Sequence, residues 1–345
     1  MQNLLDPAIL FFVFGLVAGL LRSNLEIPPA IAKFLSLYLL MALGLKGGFA
    51  LSASGLSPAI AATLGAAMFM AFAVPVLGYH FLKSHVSRFD AAAVAASYGS
   101  VSAVTFVTAM QYLESANMPA GGHMAVAMVL MESPALIVAI VLANMIRNER
   151  VAAPAASLQV TTQGTLVAGG HGNDIGNGGK PALSIVQVLK HSATDGTHLL
   201  LIASLLIGFL SGDAGKEVMK PFSADLFKGM LAFFLLDMGL MVARNLGEVK
   251  GKSPMLVAYA ALSPFVHATI ALLLATLLSL PAGDTAMLMV LSASASYIVV
   301  PAALRQAVPE ASASLYLGLP LGVTFPINLL LGIPLYTWAA TQVAS

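Results

Sequence analysis

Two stretches decide the fold: Ala95-Ala96-Ser97-Tyr98-Gly99-Ser100-Val101-Ser102-Ala103-Val104-Thr105, and Leu291-Ser292-Ala293-Ser294-Ala295-Ser296-Tyr297-Ile298-Val299-Val300-Pro301. Each lies in the middle of a long apolar segment, and each sets hydroxyls at alternate positions among small apolar residues. Neighbours at i and i+2 do not share a helix face, but they do share a face of an extended chain. Both segments are therefore expected to unwind midway, with Ser100 and Ser102 pointing one way and Ser292, Ser294 and Ser296 doing the same. Gly99 and Pro301 weaken the helix at those places. Unwound backbone at membrane depth is tolerated only where it is buried in protein or lines a cavity. The half-helix that follows presents unpaired N–H groups and a positive dipole end, an anion seat that needs no basic side chain. Single serines in such segments otherwise serve close helix packing in lipid.

The surrounding chain supports a membrane setting. Of 345 residues, 59% are hydrophobic and 9% charged, with a net charge of +1, where an average soluble domain carries about 25% charged residues. There is no basic patch and no cysteine, which excludes nucleic-acid binding, disulfide frameworks, thiolate metal sites and thiol catalysis. An all-α polytopic membrane protein remains. A crossing helix needs about 20 apolar residues, and ten candidate transmembrane helices lie near 7–21, 29–47, 58–83, 90–113, 121–147, 196–211, 224–244, 253–280, 284–307 and 312–342. The first has no basic flank, so it reads as a mature span and not a signal peptide. With the N-terminus outside, 12 of the 16 Lys and Arg fall in inside loops. Both termini are then periplasmic and the middle loop is cytoplasmic. That loop, 148–195, contains the Gly-, Asn- and Thr-rich stretch 161–180 and reads as a flexible linker. It separates a first five-helix repeat, 1–147, from a second, 196–345.

The two halves resemble each other at an offset near 195. Met41-Ala42-Leu43-Gly44-Leu45 matches Leu236-Asp237-Met238-Gly239-Leu240, Ser57-Pro58 matches Ser253-Pro254, and Asp90 matches Asp284. Ser100 and Ser102 match Ser294 and Ser296, and Pro134 matches Pro326. Five spans is an odd number, so the second copy must cross the membrane upside down. Such inverted repeats are characteristic of secondary transporters, whose substrate site lies at the repeat interface near the midplane.

Two acids lie deep in spans, Glu132 and Asp237. Intramembrane charge is costly and usually faces a cavity or a partner. Glu132 is followed by Ser133-Pro134, and the proline frees a carbonyl one turn back. These oxygen donors suit sodium better than a transition metal. Proton relay and a neutral hydrogen-bonded glutamate are the other roles open to Glu132. Asp237 is either a second cation ligand or a partner for a neighbouring helix. His267 reads as a hydrogen-bonded core residue and His123 as interfacial. Asp90 and Asp284 read as N-terminal caps, and Arg305 as a charge offsetting its helix dipole.

Several segments together resemble a known family: Tyr98-Gly99-Ser100-Val101-Ser102, Met131-Glu132-Ser133-Pro134-Ala135-Leu136, Val141-Leu142-Ala143-Asn144, the serine run 292–296 and Leu304-Arg305. They are similar to the SbtA-type sodium-dependent bicarbonate transporter family. The resemblance implies core and gate domains, an elevator-like movement and a homotrimer in a bacterial inner membrane. It implies bicarbonate held at Gly99, Ser100, Val101, Ser102, Ser294 and Ser296, and sodium, the coupling ion, at Ser102, Glu132 and Ser296. It also implies a PII-like regulatory protein at the cytoplasmic face in some members. Where cyanobacterial members carry an acid and Gly-Pro after the serine run, this chain has Tyr297 and Val300-Pro301. The expected function is sodium:bicarbonate symport. A proton-coupled carrier of another small anion, with Glu132 titrating, is the first alternative. An intramembrane serine hydrolase using Ser100 or Ser102 with His123 or His267 is a remote one, since no Gly-x-Ser-x-Gly elbow is present.

Overall fold

The computed structural model describes residues 6–55, 57–152, 196–249 and 251–343. Helices begin where proline sits in the first turn, where its missing N–H is no loss. This holds for α1 (Pro7–Leu20), α2 (Pro29–Ser54), α3 (Pro58–Leu82) and α9 (Pro254–Leu277). The matched dipeptides Ser57-Pro58 and Ser253-Pro254 are thus the openings of α3 and α9. Between them run α4 (Arg88–Gly99), α5 (Ala103–Ser115), α6 (Met124–Ala152), α7 (Gly196–Lys220) and α8 (Phe227–Val249). After α9 come α10 (Ala282–Ala293), α11 (Val299–Ala307) and α12 (Ala313–Val343), the last interrupted by π-turns at Pro320–Thr324 and Asn328–Gly332. The expected linker lies, from residue 153 to 195, outside the described residues.

Seven stretches among the described residues are long and apolar enough to cross a membrane. One of them, Gly196–Val249, holds two of the ten expected spans. Its halves are joined through a kink at Gly212, whose φ of 53° suits glycine, and through a π-turn at Pro221–Asp225. The expected loop there is largely helical. Two further expected spans appear as shorter pieces. α1 has 14 residues, about 21 Å at 1.5 Å per residue, and α10 stops at a break. Side chains such as Phe14, Leu210, Leu273 and Trp338 are exposed on these helices. In a bilayer they would meet lipid, so their exposure costs nothing there.

Helices without a hydrophobic drive toward one another must pack closely, through small residues. The repeated glycine of the matched pentapeptides does this. A Cβ at Gly44 would come within 2.7 Å of Leu201 O on α7, and one at Gly239 within 2.7 Å of Leu16 N on α1. α2 accordingly packs along α7, and α1 along α8, as the two most extensive helix pairs. A second set forms around α3, α4 and α6 and around α9, α10 and α12. The order α3, α4, break, α5, α6 is met again as α9, α10, break, α11, α12. The two sets touch chiefly through α2, α7 and α8 against α5, α6 and the turn Pro320–Thr324.

Ion pairs close the ends. Arg88 pairs with Glu149, and Arg147 Nη2 with Glu310 Oε2 at 2.8 Å. Lys46 Nζ pairs with Glu114 Oε2 at 2.9 Å, over the ring of Phe227. The acids expected to cap their own helices do something else. Ser87 is the N-cap of α4, taking the Asp90 N–H at 3.1 Å. Asp90 Oδ1 instead accepts from the Ser312 amide at 2.7 Å, just before α12. Asp284 Oδ1 accepts from the Gly121 amide at 2.6 Å, just before α6. Each acid straps the start of its own helix to the entry of a long helix in the other half. His123 is buried against Asp284, Nε2 to Oδ2 3.4 Å. Arg305 does sit in the last turn of α11.

Candidate functional site

Both crossing segments come apart where the hydroxyl-rich runs predicted. After Gly99 the chain is extended at Ser100 (φ −102°, ψ 169°) and Ser102 (φ −99°, ψ 116°), and α5 then starts. After Ala293 it is extended at Ser294 (φ −77°, ψ 165°), and α11 starts at Val299. Ser292 differs from expectation: it remains helical, within α10. Pro301 falls in the first turn of α11, so it marks the restart of the helix and not the break itself. Gly99 is required by close approach, since a Cβ there would lie 2.5 Å from Pro75 Cδ on α3.

The two breaks are hydrogen-bonded to each other. The Ser296 amide donates to the Ser97 carbonyl at 2.8 Å. The Ser102 amide donates to Ser294 Oγ at 3.1 Å, and Ser294 Oγ donates onward to the Leu291 carbonyl at 2.9 Å. Ser294 thus spends its proton and a lone pair on the fold. Asn328, buried in α12, donates from Nδ2 to the Ala293 carbonyl at 2.8 Å and so satisfies the end of α10. Tyr336 holds it in place by donating to its Oδ1 at 3.0 Å. Tyr98 and Thr324 share a hydrogen bond of 2.7 Å, and Thr324 donates to the Ala260 carbonyl at 2.7 Å.

Ser102 is the N-cap of α5, and Ser296, two residues before the N-cap Ile298 of α11, also takes an amide of the restarting helix. Ser102 Oγ accepts from the Thr105 amide at 3.3 Å, and Ser296 Oγ from the Val300 amide at 3.3 Å. Capping uses a lone pair and leaves the Ser296 hydroxyl proton available as a donor, while the Ser102 hydroxyl is also hydrogen-bonded to the Tyr297 side chain. Both serines line a cavity of about 80 Å³ together with Ala103, Val104, Ile298 and Val299, the residues that open α5 and α11. The first amides of a helix have no intrahelical partner, so two positive helix ends and two hydroxyls face one small chamber. Among the described residues no lysine or arginine lines it, and Leu39, Leu40, Met128 and Phe234 form apolar walls.

Glu132 enters the cavity from α6 and is 4% exposed. Its carboxylate pairs with the imidazole of His198, which comes from α7 and is 5% exposed. Of the residues read as an anion seat, the structure brings Val101, Ser102 and Ser296 to the cavity, while Gly99, Ser100 and Ser294 lie behind it. Of those read as cation ligands, Ser102, Glu132 and Ser296 line it and Asp237 does not. Asp237 is buried on α8, one turn beyond Phe234. Tyr297 lines the cavity, its hydroxyl 3.7 Å from Met238 Sδ.

Sequence reasoning missed His198 and Asn328. Asn328 could have been found, being one amide in an apolar run two residues after Pro326, the match of Pro134. His198 has no counterpart in the first half and follows the linker, so only tertiary structure places it at Glu132. The hydrolase reading finds no triad: Ser102 caps α5, His123 faces Asp284, and buried His267 Nδ1 and Ser100 Oγ each have no hydrogen-bond partner among the described residues.

A helical, multi-span protein with a chamber at two helix breaks has the form of a membrane transporter. The chain belongs to the Na+-dependent bicarbonate transporter superfamily, whose family model matches residues 7–341. A comparison with curated proteins finds no match.

Proposed function

We propose that this transporter is a sodium-coupled symporter of bicarbonate. The anion sits between the openings of α5 and α11, accepting from their first amides and from the hydroxyls of Ser102 and Ser296. Sodium sits beside it on Glu132, Ser102 and Ser296. The observation that carries the reading is the shared chamber: two helix N-termini and one carboxylate face about 80 Å³ of otherwise apolar space. Attraction between opposite charges is strong at low dielectric, so each ion raises the affinity for the other. The repeated order of elements and the matched sequence motifs support ten crossings in two inverted five-helix repeats. The sparse contact between the α1/α2/α7/α8 set and the remaining helices supports a gate and a moving core, an elevator-type mechanism. A homotrimer in a bacterial inner membrane, both termini periplasmic, and a PII-like partner at the cytoplasmic face complete the proposal.

The test is uptake of radiolabelled bicarbonate into proteoliposomes. An inward sodium gradient should accelerate it at least several-fold. Equal uptake with and without the gradient removes the sodium coupling, and uptake of another anion in its place removes bicarbonate. The Glu132–His198 pair favours one other reading, a proton-coupled carrier of another small anion, because both groups bind protons. Uptake driven by a proton gradient in sodium-free medium would select that reading.

A further inference from the structure

The Glu132–His198 contact joins the two helix sets at the cavity. Glu132 stands on α6, in the set that carries both breaks. His198 stands on α7, in the set built from α1, α2, α7 and α8. Contact between α6 and α7 is otherwise slight, so this buried pair is a principal tie at that place. The same carboxylate is the one full negative charge among the cavity's lining residues. An N–H donor turns its positive end toward the carboxylate, and a cation approaching that group meets the same charge sense at short range.

We infer that His198 is a positioning residue that competes with sodium for Glu132, so that sodium binding loosens the tie between the two helix sets. The inference rests on the sodium assignment proposed above. In the cation-free protein the imidazole holds the carboxylate, and with it the α6 side of the chamber, against α7. When sodium engages Glu132, the hydrogen bond to His198 weakens, and the sets become free to slide. His198 thereby makes movement conditional on the coupling ion, while the anion seat at Ser102 and Ser296 stays intact. Among the described residues no other charged side chain lines the cavity to take over this role.

The experiment is sodium titration of the purified full-length protein in bicarbonate-free buffer, read as a shift in Tm. H198A should reach its half-maximal shift at a sodium concentration about fivefold lower or less, because a charge-assisted competitor has been removed. H198Q keeps an N–H donor and should stay within twofold of the unaltered protein. Simple loss of packing would lower the starting Tm without tightening sodium binding. H198A that needs the same or more sodium overturns the inference, provided the unaltered protein responds to sodium and E132Q does not. An unaltered protein that shows no sodium response overturns the sodium assignment itself, and the inference with it. Should H198A not fold, hydrogen exchange of the unaltered protein decides: sodium should speed exchange of the amides over 196–200. Unchanged or slower exchange there overturns the competition.

Discussion

At the scale of single residues, the serines of the breaks divide into those that build the site and those that face it. Ser294 is fully hydrogen-bonded and is the acceptor for the Ser102 amide. Replacing it with alanine strands a buried N–H, at a cost of about 1–3 kcal/mol. S294A should therefore show a clearly lower Tm and a raised KM for the anion. Ser100, by contrast, is buried with no hydrogen-bond partner among the described residues, so S100A should leave stability within about 0.5 kcal/mol and KM within twofold. A large rise in KM for S100A would show that the hydroxyl turns into the chamber during transport. The alternation of hydroxyls marked the location of both breaks correctly. It could not separate these roles, because which hydroxyl bonds to backbone depends on how one break crosses the other.

At the scale of elements, the fate of α4 and α10 was written in short-range features. Small residues, Gly99 and the serine spacing all work against an unbroken helix. The glycine at 99 has a tertiary reason as well, namely the approach of Pro75. G99A should push α4 away from α3 and destabilise the protein by about 1–3 kcal/mol, the usual range for overpacking. Thermal unfolding measures the loss, and uptake should fall with it. Ser292 shows where the pattern misled: hydroxyl alternation continues to it, but the helix of α10 holds through Ala293 because the end carbonyl is met by Asn328. The pairing of α6 with α7 was not legible for a similar reason. No local preference of Glu132 or His198 refers to the other, and the linker between their helices erases any register.

At the scale of the whole molecule, sequence symmetry was the most informative signal, and structure explains several of its conserved-looking coincidences between halves. The paired glycines serve helix crossings, the Ser-Pro pairs open helices, and Asp90 and Asp284 strap one half to the other. These acids had been read as local caps because a cap and a long-range strap look identical in sequence. The straps lie toward opposite ends of α6, whose 29 residues span about 43 Å. D284A should cost about 1–3 kcal/mol through an unmet, partly buried backbone amide, and D90A less, because its bond to the Ser312 amide is exposed and water can take its place. Their separation predicts that D90A and D284A add within about 0.5 kcal/mol in the double variant. A marked departure from additivity in denaturation would show that the two halves are coupled along the whole body.

The stitches from Ser296 to Ser97 and from Ser102 to Ser294 bear on the direction of transport. Because each break is fastened to the other, the rigid displacement proposed above would take both walls of the proposed anion seat along together. Cargo then meets the same grip whichever compartment it arrives from. Under the sodium symport proposed above, such a machine has no built-in valve: reversing the ionic gradients would reverse the net flow, and a cell using it to accumulate bicarbonate would have to keep its own sodium low.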